Sequence, residues 1–491
     1  MRSIGLVVCD DRCVRCTYIP ARPRADPSIG AGHVMPEESE IEVSRRELSS
    51  GPGSSSAAAR RVWPAAVAVS SVAAVIAWIR TPTAIAGWLY AEDGRSFIGD
   101  WLGTNEPIRG DLSLLWMPYA GYQHLIPRLA SGLVTALVPP AGWAVAVNAI
   151  ACLVVGTAAG LVFVFSRDVI SLLPARLVLA LLTVMTPMAG LEALGNLANL
   201  HWFLLYLTPW LLLATPRSTA GAWAMAAVAF LTVATEPQCA IFLPLALWRI
   251  VAAPQTRPVV VCWLLGVVAQ VATAIDAPRA IGPEAPPIAS TIEGYVLNVG
   301  MTLGTTHLPL LGAVIVRLGW WVGFVGVAVI LAFAVLGIVK GSPIAKVAIG
   351  SLIYGSVVSW TASFVLGRNP AFFYSEMDVI ELGAPLLARW GTAASMLLGA
   401  TIPVTVAVLV QCYPRWRPVW WTLLGVFALA LALNLVVHPS RDDQTWQDEV
   451  DDAMVTCAAM PGGEVQLPTP PDPSPGDPGW RVDVPCSRIT G

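Results

Sequence analysis

From about residue 62 to about 437 the chain is a series of long apolar runs separated by short polar connectors. These runs do not alternate as half-buried strands do, and most are long enough to cross a bilayer as helices. Candidate spans lie at 62–88, 124–138, 142–165, 174–190, 199–215, 219–235, 238–252, 258–276, 320–339, 347–366, 391–411 and 418–437. The pattern predicts an all-α polytopic membrane protein of about 11 transmembrane helices, within 11–13. A transmembrane barrel is excluded, because its strands would alternate apolar and polar.

Three polar stretches frame the spans. Residues 1–61 are rich in Arg, Ser, Gly and Pro and are expected to form a disordered cytoplasmic leader. No signal-peptide pattern precedes the first span, and Met35, which opens an acidic stretch, is an alternative start to Met1. Residues 91–123 form a long loop with short surface-helix candidates such as Leu112–Met117. Residues 438–491 form an Asp- and Pro-rich tail.

The basic connectors Arg249–Arg257, Lys340–Lys346 and Arg415–Arg417, with Arg60 and Arg61, are expected to be cytoplasmic. That rule places the N-terminus inside and 91–123, 277–319, 367–390 and the tail outside, in the plasma membrane. An even number of spans cannot join an inside N-terminus to an outside C-terminus. One early segment, 124–138 being the first candidate, is therefore expected to be re-entrant, merged or miscounted.

Composition agrees with this class. The 491 residues are 56% hydrophobic and 12% charged, where a soluble domain carries roughly 25% charged residues. A net charge of −3 gives no sign of a nucleic-acid partner, and membrane lipids are the expected surroundings. Many of the 20 Trp, among them Trp78, Trp88, Trp143, Trp210, Trp320, Trp321, Trp420 and Trp421, fall at span ends, as interfacial anchors do. Cys152, Cys239, Cys262 and Cys412 lie in or beside apolar runs and read as buried thiols. Cys457 and Cys486 are expected to pair as a disulfide if the tail is outside. Cys9, Cys13 and Cys16 have the spacing of a radical-type iron–sulfur motif, but no α/β barrel follows, so the spacing reads as chance.

Candidate chemistry gathers at the expected outer ends of the helices. Glu92 and Asp93 follow the first span directly. Adjacent carboxylates at a low-dielectric boundary are costly unless they pair, meet water or act as a base, although a solvated acidic loop is the simpler alternative. His124 and Arg128 fall one helical turn apart, where a cation can meet a lipid phosphate or merely reach the headgroups. Glu192, Asn196 and Asn199, at offsets of four and seven, would share one helical stripe facing a wet cavity or gluing helices together. Glu236-Pro237 marks a shallow hairpin, and Arg368 opens a late charged loop. No phosphate-binding loop, His-Glu-x2-His or Gly-x-Ser-x-Gly motif occurs.

Three segments, Glu92–Gly94, Gly121–Arg128 and Asn199–Trp202, resemble the Glu-Asp-Gly, Gly-Tyr-x-His-Leu-x-Pro-Arg and Asn-Leu-His-Trp segments of multispan actinobacterial envelope proteins. With the long outer loop after the first span, they resemble the GT-C class of membrane glycosyltransferases. The resemblance implies transfer of a sugar from a polyprenyl-phosphate donor to an envelope glycan or lipid acceptor on the outer face. Asp93, with Glu92 as alternate, would be the general base. His124, Arg128 or Arg368 would meet the leaving phosphate, and Tyr122, Glu192, Asn196, Asn199 and His201 would bind substrate. No cofactor is identified, and a divalent metal has no recognisable ligand set. Two other classes fit the composition: a flippase or transporter of a lipid-linked or polar solute, and a non-catalytic envelope membrane protein.

Overall fold

The computed structural model describes residues 6–10, 15–19, 53–82, 85–103, 112–279, 284–368, 372–384, 388–435, 445–471 and 479–490. In the leader, β1 (Leu6–Asp10) and β2 (Arg15–Ile19) pair antiparallel. The expectation of a structureless leader is corrected at those residues, and Cys13 lies outside the described ones. The membrane domain comprises α1 (Gly53–Arg80), α2 (Leu125–Leu137), α3 (Trp143–Phe165), α4 (Leu173–Met185), α5 (Leu200–Leu213), α6 (Thr219–Val233) and α7 (Leu243–Ala252). It continues with α8 (Arg257–Asp276), α9 (Ile288–Tyr295), α10 (Leu308–Leu318), α11 (Trp321–Lys340), α12 (Pro343–Gly367), α13 (Thr392–Cys412) and α14 (Arg417–Leu433).

Eight segments among the described residues are long and apolar enough to cross a membrane, and five more apolar helices are shorter. The chain is an all-α polytopic membrane protein in its helical body. Helix α13 is the centre of that body, buried along almost its whole length. Helix α1 lies on α3, where a Cβ on Gly156 or Gly160 would collide with Ser70, so small residues set the close approach. Trp143 and Trp210 are fully buried in this packing rather than serving as interfacial anchors.

The two ends of the body are tied differently. At one end Arg80, the last residue of α1, donates to the carbonyls of Val184, Thr186 and Pro187 at the end of α4. The Val184 carbonyl lies at the negative end of the α4 dipole. At the other end Asp168 accepts from the Thr215 N–H at 2.8 Å and from Arg217 at 2.7 Å. Arg249 donates there to the Leu212 carbonyl at 3.0 Å.

Helix α2 starts and finishes at the Arg80 end. Its Leu125 N–H donates to the Ala234 carbonyl at 3.2 Å. Just past its other end, the Pro140 carbonyl accepts from Trp446 Nε1 at 2.7 Å, and the Trp446 N–H bonds Gly87 at 3.2 Å.

The tail is a small module rather than a bare proline-rich strand. It contains α15 (Trp446–Ala459) and the antiparallel pair β3 (Glu464–Thr469) and β4 (Trp480–Pro485), the second departure from an all-helical chain. A Cys457–Cys486 disulfide closes it. The module rests on the 87–95 segment, so the tail and the acidic corner share one end of the protein.

Candidate functional site

The acidic corner begins where α1 ends and the chain must turn. Ala91 takes φ 44°, a left-handed conformation that residues with a Cβ avoid. The chain then winds into a wide turn of π-helix over Asp93–Ile98. This turn sends the two adjacent carboxylates to different places.

Asp93 is fully buried, with Oδ2 accepting from the Leu197 N–H at 2.8 Å and Oδ1 from the Ala198 N–H at 2.9 Å. Burial pushes its pKa up to about 8, against the two backbone donors, and the nearby Glu92 adds to the rise. Asp93 therefore fastens the 191–199 segment and does not line the cavity.

Glu92 does. It lines a cavity of about 430 Å³, the Tyr119 hydroxyl is its hydrogen-bond partner, and its Oε2 has no partner among the described residues. Of the two carboxylates expected to supply a base, Glu92 is in the cavity lining and Asp93 is not.

Tyr119 and Tyr122 face each other across a two-residue turn, with N–H to carbonyl distances of 2.8 and 3.0 Å. Ala120 and Gly121 both have positive φ there, as a type I′ turn requires. A Cβ on Gly121 would fall 2.7 Å from the Arg279 nitrogen, so the turn also lets Arg279 reach the cavity. Tyr122 lines the cavity, and burial, followed by the charge of Glu236, holds its phenol well above the usual range.

His124 is buried behind this turn. Its Nδ1 lies 2.9 Å from the Thr235 carbonyl and its Nε2 3.0 Å from the Ala198 carbonyl. Two acceptors favour a ring with both protons, whereas burial and then His201 push its pKa down to about 3. A cation in a dry site costs far more than one weakened hydrogen bond, so the ring is neutral. It braces two loops and does not reach the cavity.

Arg128 lies one turn from His124, as expected, but it pairs with buried Asp100 at 2.9 Å and stands 5.7 Å from the Phe97 ring centroid. Arg368 caps α12 at φ 42° and is not among the described lining residues. Neither is placed to meet a leaving phosphate in this cavity. Its cations are instead Arg279 and Arg389, which the sequence reading passed over. Each stands beside a marker of a span end, Arg279 after Pro278 and Arg389 before Trp390.

Residues 192–199 are turns rather than a helix, so Glu192, Asn196 and Asn199 share no stripe. Gly195 breaks the segment at φ 83°. Asn196 is buried, its Nδ2 donating to the Glu192 carbonyl and its Oδ1 accepting from the Asn199 N–H, both at 2.9 Å. Glu192 pairs with Arg389 at 3.0 Å, and burial raises its pKa. Of the three, Asn199 lines the cavity.

Also in the lining, His201 Nδ1 meets Glu236 Oε2 in a close hydrogen bond. Glu236 Oε1 accepts from the Gln238 N–H at 2.6 Å, which fixes the carboxylate. A histidine held at Nδ1 by a carboxylate keeps Nε2 for whatever occupies the cavity. Trp202 and Trp390, with ring centroids 5.5 Å apart, complete the wall.

The arrangement brings together a partly partnered carboxylate, a carboxylate-held imidazole, two guanidinium groups and aromatic faces. No family model, no curated protein and no solved structure matches the chain.

Proposed function

We propose that this cavity transfers a sugar from a polyprenyl-phosphate carrier to a hydroxyl of an envelope glycan or lipid acceptor, with inversion, and that Glu92 is the general base. The observation that carries the reading is Glu92, a carboxylate with one buried, unpartnered oxygen, in the lining of a cavity that also holds Arg279 and Arg389. The acceptor oxygen attacks the anomeric carbon and its proton passes to Glu92. The bond from that carbon to the phosphate oxygen breaks, and the electron pair leaves with the lipid phosphate. Guanidinium groups beside that oxygen stabilise the developing charge, Arg389 from a position fixed by Glu192 and Arg279 from the exposed side of the cavity. Tyr122, Trp202 and Trp390 offer flat faces to a sugar ring, and Asn199 and His201 offer polar contacts.

Placement at the outer face is inferred from charge. The basic residues Arg217, Arg249 and Arg257 belong to the opposite end of the body, as cytoplasmic connectors do. Counting α5, α6 and α7 with the eight long segments, and α2 as re-entrant, gives about 11 crossings, an odd number that reconciles the two sides.

A transporter would carry polar groups along a path between both ends of the helices. Here the lining groups come from the first or last two turns at one end, such as His201, Gln270, Ser363 and Arg389.

The test compares lipid-linked sugars and envelope glycans in a deletion strain carrying either the wild-type chain or Glu92→Gln. Loss of one glycan with accumulation of its lipid-linked donor is expected for the variant. An unchanged profile with normal protein levels would sink the reading.

A further inference from the structure

We propose that the C-terminal module is a positioning element for Glu92, an inference that rests on the reading of Glu92 as the base. The Ala91 N–H donates to the carbonyl of Pro470, in the turn that follows β3. Ala91 is the residue whose left-handed backbone aims the next side chain, Glu92, into the cavity. A residue with a Cβ stays in that conformation only where its surroundings over-determine it, and here the tail supplies one side of the determination.

Three further contacts seat the module on the same few residues. A Cβ on Gly94 would fall 2.5 Å from Thr469 Cγ2, so β3 lies directly against the turn. The Arg95 guanidinium stands 5.5 Å from the Trp480 ring of β4. Ile85, Tyr90 and Ala91 form a small apolar cluster of their own, against which Trp480 packs. The Trp446 backbone bond to Gly87 and the bond of its indole to Pro140 anchor the other half of the module. The Cys457–Cys486 bridge ties the two halves together.

Glu92 is thereby held from both flanks. Asp93, on one side, is fastened to Leu197 and Ala198 of the membrane domain. Ala91, on the other, is fastened to the tail. Releasing the tail leaves the cavity walls in place and frees the carboxylate to turn. A misplacement of about 1 Å at a reacting group can cost on the order of a hundredfold in rate.

The test is steric and reversible. In the full-length protein, Gly94→Ala drives a methyl into Thr469, whereas the nearest remaining atom, Leu89 Cβ at 3.3 Å, needs to give only a few tenths of an ångström. Thr469→Ser removes Cγ2 and makes the room. Hydrogen exchange over residues 87–97 and 464–485 and sugar transfer in membranes are measured for Gly94→Ala and for Gly94→Ala with Thr469→Ser.

The single variant is expected to exchange faster in both segments and to lose at least about tenfold in transfer. The double variant is expected to recover both to within about twofold. Undocking in Gly94→Ala with full transfer, recovery of exchange without recovery of transfer, or no change in either readout overturns the proposal. The base assignment fails separately: a Glu92→Gln variant that retains transfer removes it, whatever Gly94→Ala does. An inactive Glu92→Gln beside an undocked, active Gly94→Ala removes the positioning role alone.

Discussion

Glu92 and Asp93 are neighbours in the chain and serve opposite sides of one wall. Asp93 closes on the backbone N–H groups of Leu197 and Ala198, while Glu92 lines the cavity. The π-helical turn that begins at Asp93 makes this division.

The two carboxylates should therefore fail differently when neutralised. Glu92→Gln is expected to leave thermal stability within a degree or so and to lower transfer by about a hundredfold or more, the scale of a general base. Asp93→Asn keeps one acceptor but sets an amide donor against a backbone N–H, costing about 2–3 kcal/mol. Thermal denaturation of both purified variants separates the roles. A stable, inactive Asp93→Asn beside an active Glu92→Gln would return the base to Asp93.

Asp93 also predicts a pH signature. Its folded pKa of about 8 stands above the 3.8 of an exposed aspartate. Between those values the unfolded chain releases a proton that the folded one keeps. Its stabilising contribution is complete below about pH 4 and is lost as pH rises through about 8, at up to about 1.4 kcal/mol per pH unit. Melting temperatures from pH 5 to 8 should fall more steeply in the wild type than in Asp93→Asn. A wild-type curve that rises relative to the variant contradicts the assignment.

Gly121 carries a double demand, positive φ and room for the Arg279 backbone. Gly121→Ala is expected to destabilise the protein by at least about 2 kcal/mol. It should also weaken donor binding, because Arg279 is displaced. Thermal melts with a donor titration check both, and a variant that melts and binds as the wild type refutes the close approach.

The Arg128–Asp100 pair predicts strong coupling. Arg128→Met alone removes the ion-pair partner of a buried carboxylate and should cost about 3–5 kcal/mol, while Arg128→Met with Asp100→Leu should recover much of it. A double-mutant cycle on thermal stability measures the coupling. Independent effects would show that Arg128 acts on something other than Asp100.

The helical body was legible because apolar run length is a one-dimensional property. The site was legible only as a neighbourhood. Nothing in the order Glu-Asp-Gly says which carboxylate meets the cavity, since that depends on a left-handed Ala91 held by a carbonyl far along the chain. Arg128 looked like a phosphate ligand because Asp100, its partner, precedes it across a long loop. Glu192, Asn196 and Asn199 fitted a helical stripe by spacing, but Gly195 breaks the segment into turns. Arg279 and Arg389 sit singly at span ends, where one arginine is unremarkable until the fold brings two together.

The contact between Ala91 and Pro470 has a consequence for biosynthesis. The tail is translated after α1 to α14, so the segment bearing Glu92 waits through the insertion of the whole membrane domain before this partner arrives. A chain cut short after α14 would carry every wall residue of the cavity and still lack the piece that sets its carboxylate. On the positioning reading, products cut short after α14 would be inert in the bilayer.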